Sequence, residues 1–160
     1  MKKAQVFVIR EFFSFLMGLV MLIALSFIYI NILLPGVEEL AYNYYSRDIT
    51  AQVDYVLTNV YSSVRLSGYS SSVSFTADMP KKVHNSEYSV AFSGNSSICV
   101  NIWQRTNRIT GDIYVECRDH SIPSEDISLT GTFLSETGRM KISAVKKSGI
   151  IDISLEAGIY

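Results

Sequence analysis

The chain contains two cysteines, Cys99 and Cys117, whose spacing predicts a disulfide bond. Both lie in segments that alternate apolar and polar residues, which is typical of β-strands. If these strands fold back about Arg108, the two cysteines face each other, because they are equally far from that residue. Directly opposed residues of an antiparallel pair lie about 4.5 to 5.5 Å apart at Cα, a separation that a disulfide accepts. The same register pairs Trp103 with Ile113 on that face.

Other interpretations of the two cysteines remain open. A pair of separated thiols would result if the strand pairing slipped by one residue. A metal site is less favoured, because such sites normally have four ligands and these cysteines have neither a CxxC partner nor clustered histidines. A catalytic cysteine is not expected. An exported, oxidising location favours the disulfide.

Asn95 begins an Asn-Ser-Ser sequence, which satisfies the N-x-[ST] rule for glycosylation. It follows Gly94 in a stretch with turn composition, so we expect an exposed side chain. In an exported protein this position would accept a glycan. An ordinary turn asparagine is the alternative.

The remaining titratable residues form no recognisable catalytic or metal-binding pattern. His84 and His120 lie in loop-like stretches far apart in sequence. Four acidic residues match no calcium-binding loop, and we interpret them as a solvated charged rim rather than a cation site: Glu116, Asp119, Glu125 and Asp126. Motifs for nucleotide binding, metal hydrolysis and acyl transfer are absent from the sequence. We therefore expect no enzyme activity, no catalytic residue, and no metal or cofactor.

A long apolar segment precedes all of these residues. Phe12 to Leu34 is a run of 23 residues without Asp, Glu, Lys or Arg, and as a helix it spans about 34 Å, enough to cross a bilayer core. A cleaved secretory signal is the alternative, but its apolar region usually has only about 7 to 15 residues. We predict a leader or cytoplasmic stub at 1–11 and a lipid-embedded transmembrane helix at 12–34. Ser14 and Gly18 form a small-xxx-small pair through which another membrane or filament subunit can pack.

Basic residues near the ends of this segment predict its orientation. Lys2, Lys3 and Arg10 precede it, and only Arg47 follows closely, which places the N-terminus inside and the C-terminal part outside the cytoplasmic membrane. Of the 14 Lys and Arg, three precede the span, and of the 15 Asp and Glu, only one does. The exported part therefore has 11 basic against 14 acidic residues, which does not favour nucleic acid as a partner.

Pro35 and Gly36 predict a kink or short break after the span. Apolar residues then recur three and four positions apart and predict an amphipathic helix over 37–67. The tyrosines at the start of this helix suit either a membrane–water interface or packing under the following domain. The predicted apolar stripe comprises Val37, Leu40, Ala41, Tyr44, Val53, Val56, Leu57, Val60 and Val64.

Short alternating segments after Gly68 predict strands at 73–79, 88–92, 98–104, 112–118, 127–133, 139–145 and 150–155. Residues 147–149 (Lys-Ser-Gly) predict a hairpin turn between the last two strands. The fold class is therefore α+β: an N-terminal transmembrane helix that continues into an amphipathic helix, then a small antiparallel β domain of about seven strands at 70–160. A sandwich and a curled sheet are both compatible with this pattern, and the strand order is left open.

The opening Lys-Lys-Ala-Gln and the helix that follows it resemble archaeal type IV pilin-like proteins with a class III signal peptide. In that family a membrane peptidase removes a short basic leader, often before a Gln. The resemblance therefore implies a processing site between Ala4 and Gln5. Four later stretches also resemble the ectodomains of that family: 77–83, 88–90, 138–142 and 149–153.

The resemblance implies a pilin-like structural subunit or minor component of an archaeal type IV filament or related surface machine. The chain departs from the family at Ile9, because the fifth position of a mature pilin is usually Glu and the nearest carboxylate here is Glu11. Arg10 is also costly inside a membrane. A permanently anchored envelope protein, whose β domain binds another surface protein or glycan, as archaellum stator subunits work from the membrane, is the alternative.

Overall fold

The computed structural model describes residues 2–67, 71–103, 113–123, 125 and 127–158, with side chains from residue 10 onward. The chain divides into two compact units, Met1–Leu40 and Ala41–Tyr160. The first is helical, and the second contains the rest of the helix and all the strands. This is the predicted α+β order of a long helix followed by a β domain.

The N-terminal helical segment consists of α1 (Lys2–Ile28), a π-helical turn (Tyr29–Leu33) and the start of α2 (Leu34–Leu66). The predicted break at Pro35 and Gly36 was wrong, because both residues lie inside α2. Proline cannot donate the helical hydrogen bond, and its ring crowds the carbonyl four residues earlier. The wider π-helical turn directly precedes Pro35, and in it the Leu34 amide donates to the Tyr29 carbonyl five residues back. The helix accommodates Pro35 by this local change from α-helical to π-helical hydrogen bonding.

Seven strands form one sheet, as the alternating sequence predicted. Each lies within two residues of its predicted bounds at both ends, although Gln104 and Asp112 fall outside the described residues. The strands are β1 (Ser72–Asp78), β2 (Tyr88–Ser93), β3 (Ser97–Trp103), β4 (Ile113–Asp119), β5 (Ile127–Leu134), β6 (Arg139–Lys147) and β7 (Ile150–Ala157). A short 3₁₀ helix, Ser135–Thr137, follows β5.

The strand order is β1-β6-β7-β5-β2-β3-β4, which makes the sheet mixed. The expectation of a wholly antiparallel domain was wrong for one pair, because β5 and β7 run parallel. After β5 the chain forms β6, which is not adjacent to β5 in the sheet. A hairpin then leads into β7, which lies between β5 and β6. The hairpin turn lies within the predicted residues 147–149, but Lys147 pairs with Ile150, so the turn itself has two residues, Ser148 and Gly149, both with positive φ, 51° and 94°.

One face of α2 forms the core with the inner face of the sheet. The predicted apolar stripe is confirmed from Val53 onward, but its first part was wrong, since Leu40 and Tyr44 are both 70% exposed. Two polar residues, Ser46 and Thr50, continue the buried face, and the Thr50 hydroxyl donates to the Ser46 carbonyl at 2.8 Å. Because these two residues are polar, the apolar pattern did not indicate which face of this part of the helix is buried. The buried residues of α2 are Tyr42, Ser46, Ile49, Thr50, Val53, Leu57, Val60 and Val64.

Candidate functional sites

The N-terminal unit presents an uncovered apolar surface. Every residue from Arg10 to Val37 is exposed in the chain, including Phe15 at 71% and Leu22 at 66%. By length and composition, Arg10–Leu66 is the one helix among the described residues that contains a segment able to cross a membrane. Exposed apolar surface of this extent marks a membrane or protein contact.

Two polar side chains within this segment, Ser26 and Asn31, form hydrogen bonds to the helix itself. The Ser26 hydroxyl donates to the Leu22 carbonyl at 2.9 Å, and the Asn31 amide donates to the Phe27 carbonyl at 2.8 Å. Such bonds to the preceding turn remove the need for water. Beyond Arg10 and Glu11 the exposed surface carries no charged side chain up to Val37, which suits an apolar environment.

The predicted processing site lies at the N-terminal end of this helix. The backbone of Ala4 and Gln5 belongs to α1. Their side chains lie outside the described part of the chain, so cleavage stays a prediction.

A polar cluster joins α2 to strand β4 inside the C-terminal unit. Glu116 points to the inner face of the sheet, where its side chain is only 15% exposed. It accepts hydrogen bonds from the Ser46 hydroxyl and from Arg118, whose Nε lies 2.7 Å from Glu116 Oε1. The Tyr114 hydroxyl donates to Asn43 Oδ1 at 2.7 Å and lies 3.2 Å from Glu116 Oε2. The cluster fixes the helix against this edge of the sheet.

Burial by itself would raise the pKa of Glu116. The hydrogen bonds from Ser46, Arg118 and Tyr114 together outweigh burial and hold the pKa of this carboxyl below its ordinary value. Glu116 is therefore ionised and paired, and it does not belong to the solvated rim that the sequence predicted.

Two other members of the predicted acidic rim, Asp119 and Glu125, are described by the structure. Asp119 accepts a hydrogen bond from the Ser97 hydroxyl at 2.9 Å, Glu125 is exposed, and Asp126 is outside the described residues. Within the described residues, no three His, Cys, Asp or Glu side chains lie close enough together to hold a metal ion.

The two cysteines meet in the predicted register on β3 and β4. Cys99 is directly opposite Cys117 and Trp103 is opposite Ile113, as the fold-back about Arg108 required. The sulfur atoms lie 2.05 Å apart, and the Cα atoms lie 4.0 Å apart. The disulfide therefore lies on the sheet face that points away from α2 and joins β3 to the edge strand.

Asn95 lies in the exposed turn between β2 and β3. Its Oδ1 accepts a hydrogen bond from the Leu129 amide at 3.2 Å, and its carbonyl is 2.9 Å from Nε2 of His120. Asn95 therefore has a structural role of its own, and glycosylation stays a prediction. His84, the other loop histidine, is exposed with its ring centroid 5.9 Å from that of Tyr42.

The outer face of β3, β4 and β5 carries an apolar patch, defined as Trp103, Ile113, Val115 and Leu134. These side chains are 39%, 47%, 56% and 49% exposed. The register places them on one face, because Leu134, Ser89, Asn101 and Val115 are successive cross-strand neighbours. This patch is distinct from the core, which lies on the opposite face.

A cavity of about 320 Å³ opens at the end of this patch, entirely within the C-terminal unit. The apolar side chains of Trp103 and Leu134 line the cavity, and Glu87 and Glu136 lie at its rim. The Trp103 amide donates to the Glu87 carbonyl at 3.0 Å, which extends the β2–β3 ladder to the cavity. The lining residues are Glu87, Tyr88, Trp103, Leu134, Ser135 and Glu136.

Hydrogen bonds hold Tyr88 in place at the base of the cavity. The Tyr88 amide donates to the Ser135 hydroxyl at 3.0 Å, and the buried Tyr88 phenol donates to the Pro80 carbonyl at 2.8 Å. Burial raises the pKa of Tyr88 above its ordinary value, so the phenol stays a neutral donor. The base of the cavity is therefore preformed, and its described lining includes two carboxylates, those of Glu87 and Glu136.

The sequence placed Trp103 on one strand face with Ile113 but predicted no site there, and it did not single out the two glutamates at the cavity. Glu87 precedes a strand and Glu136 lies in a 3₁₀ helix. Both resemble ordinary solvated charges in sequence. The available signal was the predicted pairing of Trp103 with Ile113 on one strand face. It did not reveal that β5 lies beside β2, which is what brings Glu136 to the site.

Comparison with known proteins identifies no matching family model, no similar curated protein and no similar solved structure.

Proposed function

We propose that this chain is a membrane-anchored, pilin-like structural subunit or minor component of an archaeal type IV filament or related surface machine. The observation that supports the proposal is the contrast between the two parts of the helical region. Residues 12–37 are exposed and carry no charged side chain, whereas the part of α2 from Tyr42 to Val64 packs against the β domain. One part is thus available to lipid or to the helices of other subunits, and the other holds a folded domain.

The orientation belongs to the same proposal, with the N-terminus inside and the β domain outside the cytoplasmic membrane. Its support is the excess of Lys and Arg before the span. The disulfide on the β domain agrees with an oxidising location.

Mass spectrometry of the chain from intact cells tests orientation and processing together. Cells are treated with an amine reagent that does not cross membranes, and the chain is then purified and digested. We expect labelling of exposed β-domain lysines such as Lys147 and a mature N-terminus at Gln5. Labelled Lys2 or Lys3 in an intact chain would contradict the proposed orientation.

The N-terminus also separates the main proposal from its alternative. A chain that retains Lys2 and Lys3, both unlabelled, indicates a permanent anchor whose β domain binds another surface protein or glycan. An Ala4→Trp variant, with a bulky residue at the predicted cut, is the matched control and should retain the leader. Sheared surface fibres that contain the wild-type chain but not this variant support assembly into a filament, whereas absence of the wild-type chain from fibres contradicts it.

A further inference from the structure

The cavity beside Trp103 combines an aromatic wall with negative charge. Its rim carries Glu87 and Glu136, and the lining residues within the described ranges include no Lys, Arg or His. In the described part of the chain neither glutamate forms a salt bridge. An indole and two carboxylates around one opening attract a cation, since the ring face and the carboxylates both favour positive charge.

We propose that this cavity binds a basic side chain, arginine above all, presented by a partner polypeptide. A volume of about 320 Å³ is at the lower end of ligand cavities, so it fits one long side chain rather than a large cofactor. A guanidinium group can stack on Trp103 while its N–H groups reach the carboxylates of Glu87 and Glu136. Leu134 contacts the methylene stem.

The surroundings of the cavity favour a polypeptide over a free small cation. Ile113 and Val115 extend the apolar surface from Trp103 along β4 and are about half exposed. A segment whose arginine enters the cavity would therefore place its neighbouring apolar side chains on this patch. Aromatic and arginine residues at the centre of an apolar patch are typical of protein interfaces.

A glycan is the competing occupant, because sugars also stack on tryptophan. Among the lining residues that the structure describes there are two carboxylates and no cationic group, which favours a positively charged ligand over a neutral sugar. The inference does not depend on whether the chain is processed or assembles into filaments.

Trp103 is the only tryptophan of the chain, so its fluorescence reports directly on the cavity. The full-length protein in non-ionic detergent micelles is titrated with the capped peptide acetyl-Val-Arg-Val-amide. The control peptide replaces arginine with citrulline, which has nearly the same shape without the charge. We expect the arginine peptide to shift the Trp103 emission saturably in the millimolar range, which is the affinity expected of a few exposed contacts. The citrulline peptide should have little effect.

Matched variants locate the charge that is responsible. Glu87→Gln and Glu136→Gln should each weaken binding of the arginine peptide about threefold, and added salt should weaken it further. Glu125→Gln removes an exposed carboxylate before the start of β5, whereas the cavity lies at the end of that strand, and should leave binding unchanged. Far-UV circular dichroism verifies that each variant is folded.

Three results would overturn the inference. The first is no change in Trp103 emission up to about 50 mM arginine peptide, well above the expected dissociation constant. The second is equal binding of the citrulline peptide, or equal losses from all three Glu→Gln changes, because the rim charge would then not select the ligand. The third is a saturable response to chitotriose or maltotriose without one to arginine, which would assign the cavity to glycans.

Discussion

Gly131 is the residue at which β5 changes partner, and its replacement by alanine should destabilise the β domain strongly. Up to Gly131 the strand pairs with β7, and from Thr132 it pairs with β2. The φ of Gly131 is 107°, a conformation that other residues rarely adopt. A Cβ at this position would lie 2.2 Å from the carbonyl oxygen of Leu155. That oxygen belongs to the backbone of β7, so the two strands would have to separate.

The expected loss has two contributions. Holding a non-glycine residue at this φ costs about 1 to 3 kcal/mol, offset by about 0.4 to 1 kcal/mol because alanine lowers the entropy of the unfolded chain. Separating the strands costs about 1 to 3 kcal/mol more, as overpacking generally does. The free energy of unfolding should therefore fall by roughly 3 kcal/mol, a large part of the about 5 to 15 kcal/mol of an ordinary domain.

Gly149→Ala is the matched control. Gly149 has a similar φ of 94°, but a Cβ added there would have open space around it, with no atom beyond its chain neighbours within 4 Å. This variant should lose only the conformational part, about 1 kcal/mol. The assay is urea unfolding of the full-length protein in detergent micelles, followed by Trp103 fluorescence. Equal losses for the two variants, within about 0.5 kcal/mol, would refute the close approach of β5 and β7.

Three further predictions use the same unfolding assay. Replacing Cys99 and Cys117 together by alanine should lower the free energy of unfolding by about 3 kcal/mol, because the bond joins residues 18 positions apart; reduction of the wild-type bond should have the same effect. The lowered pKa of Glu116 implies stability that is present above the unfolded-state pKa of about 4.3 and is lost as the pH falls through the folded-state pKa. Glu116→Gln should therefore destabilise at pH 7 much more than at about pH 3, and equal losses would contradict the pairing. Tyr42→Ala should cost about 3 kcal/mol, since Tyr42 is 2% exposed, whereas Tyr44→Ala, at a position 70% exposed, should cost less than about 0.5 kcal/mol.

The sequence was sufficient to locate the strands, because the alternation of apolar and polar residues depends on neighbouring residues. Alternation located all seven strands, and the cysteine spacing predicted the β3–β4 register residue by residue. The neighbours of β5 depend instead on how a distant hairpin docks. Alternation carries no information about that step. The parallel pairing with β7 and the position of Glu136 beside Trp103 were therefore beyond prediction.

Strand β4 shows why alternation also failed to identify which face of the strand is exposed. Its apolar residues Ile113 and Val115 point outward, while Glu116 and Arg118 point toward α2. A core strand would have the opposite arrangement, but β4 is an edge of the sheet, where charges that point inward discourage another strand from pairing. Ser46 makes the arrangement tolerable by bonding Glu116 from the helix. The inward-pointing charges thus disfavour pairing of another strand at the edge of β4, while the outer face of this strand is apolar. The partner proposed for the cavity is therefore expected to dock on the face beside Trp103 rather than to extend the sheet.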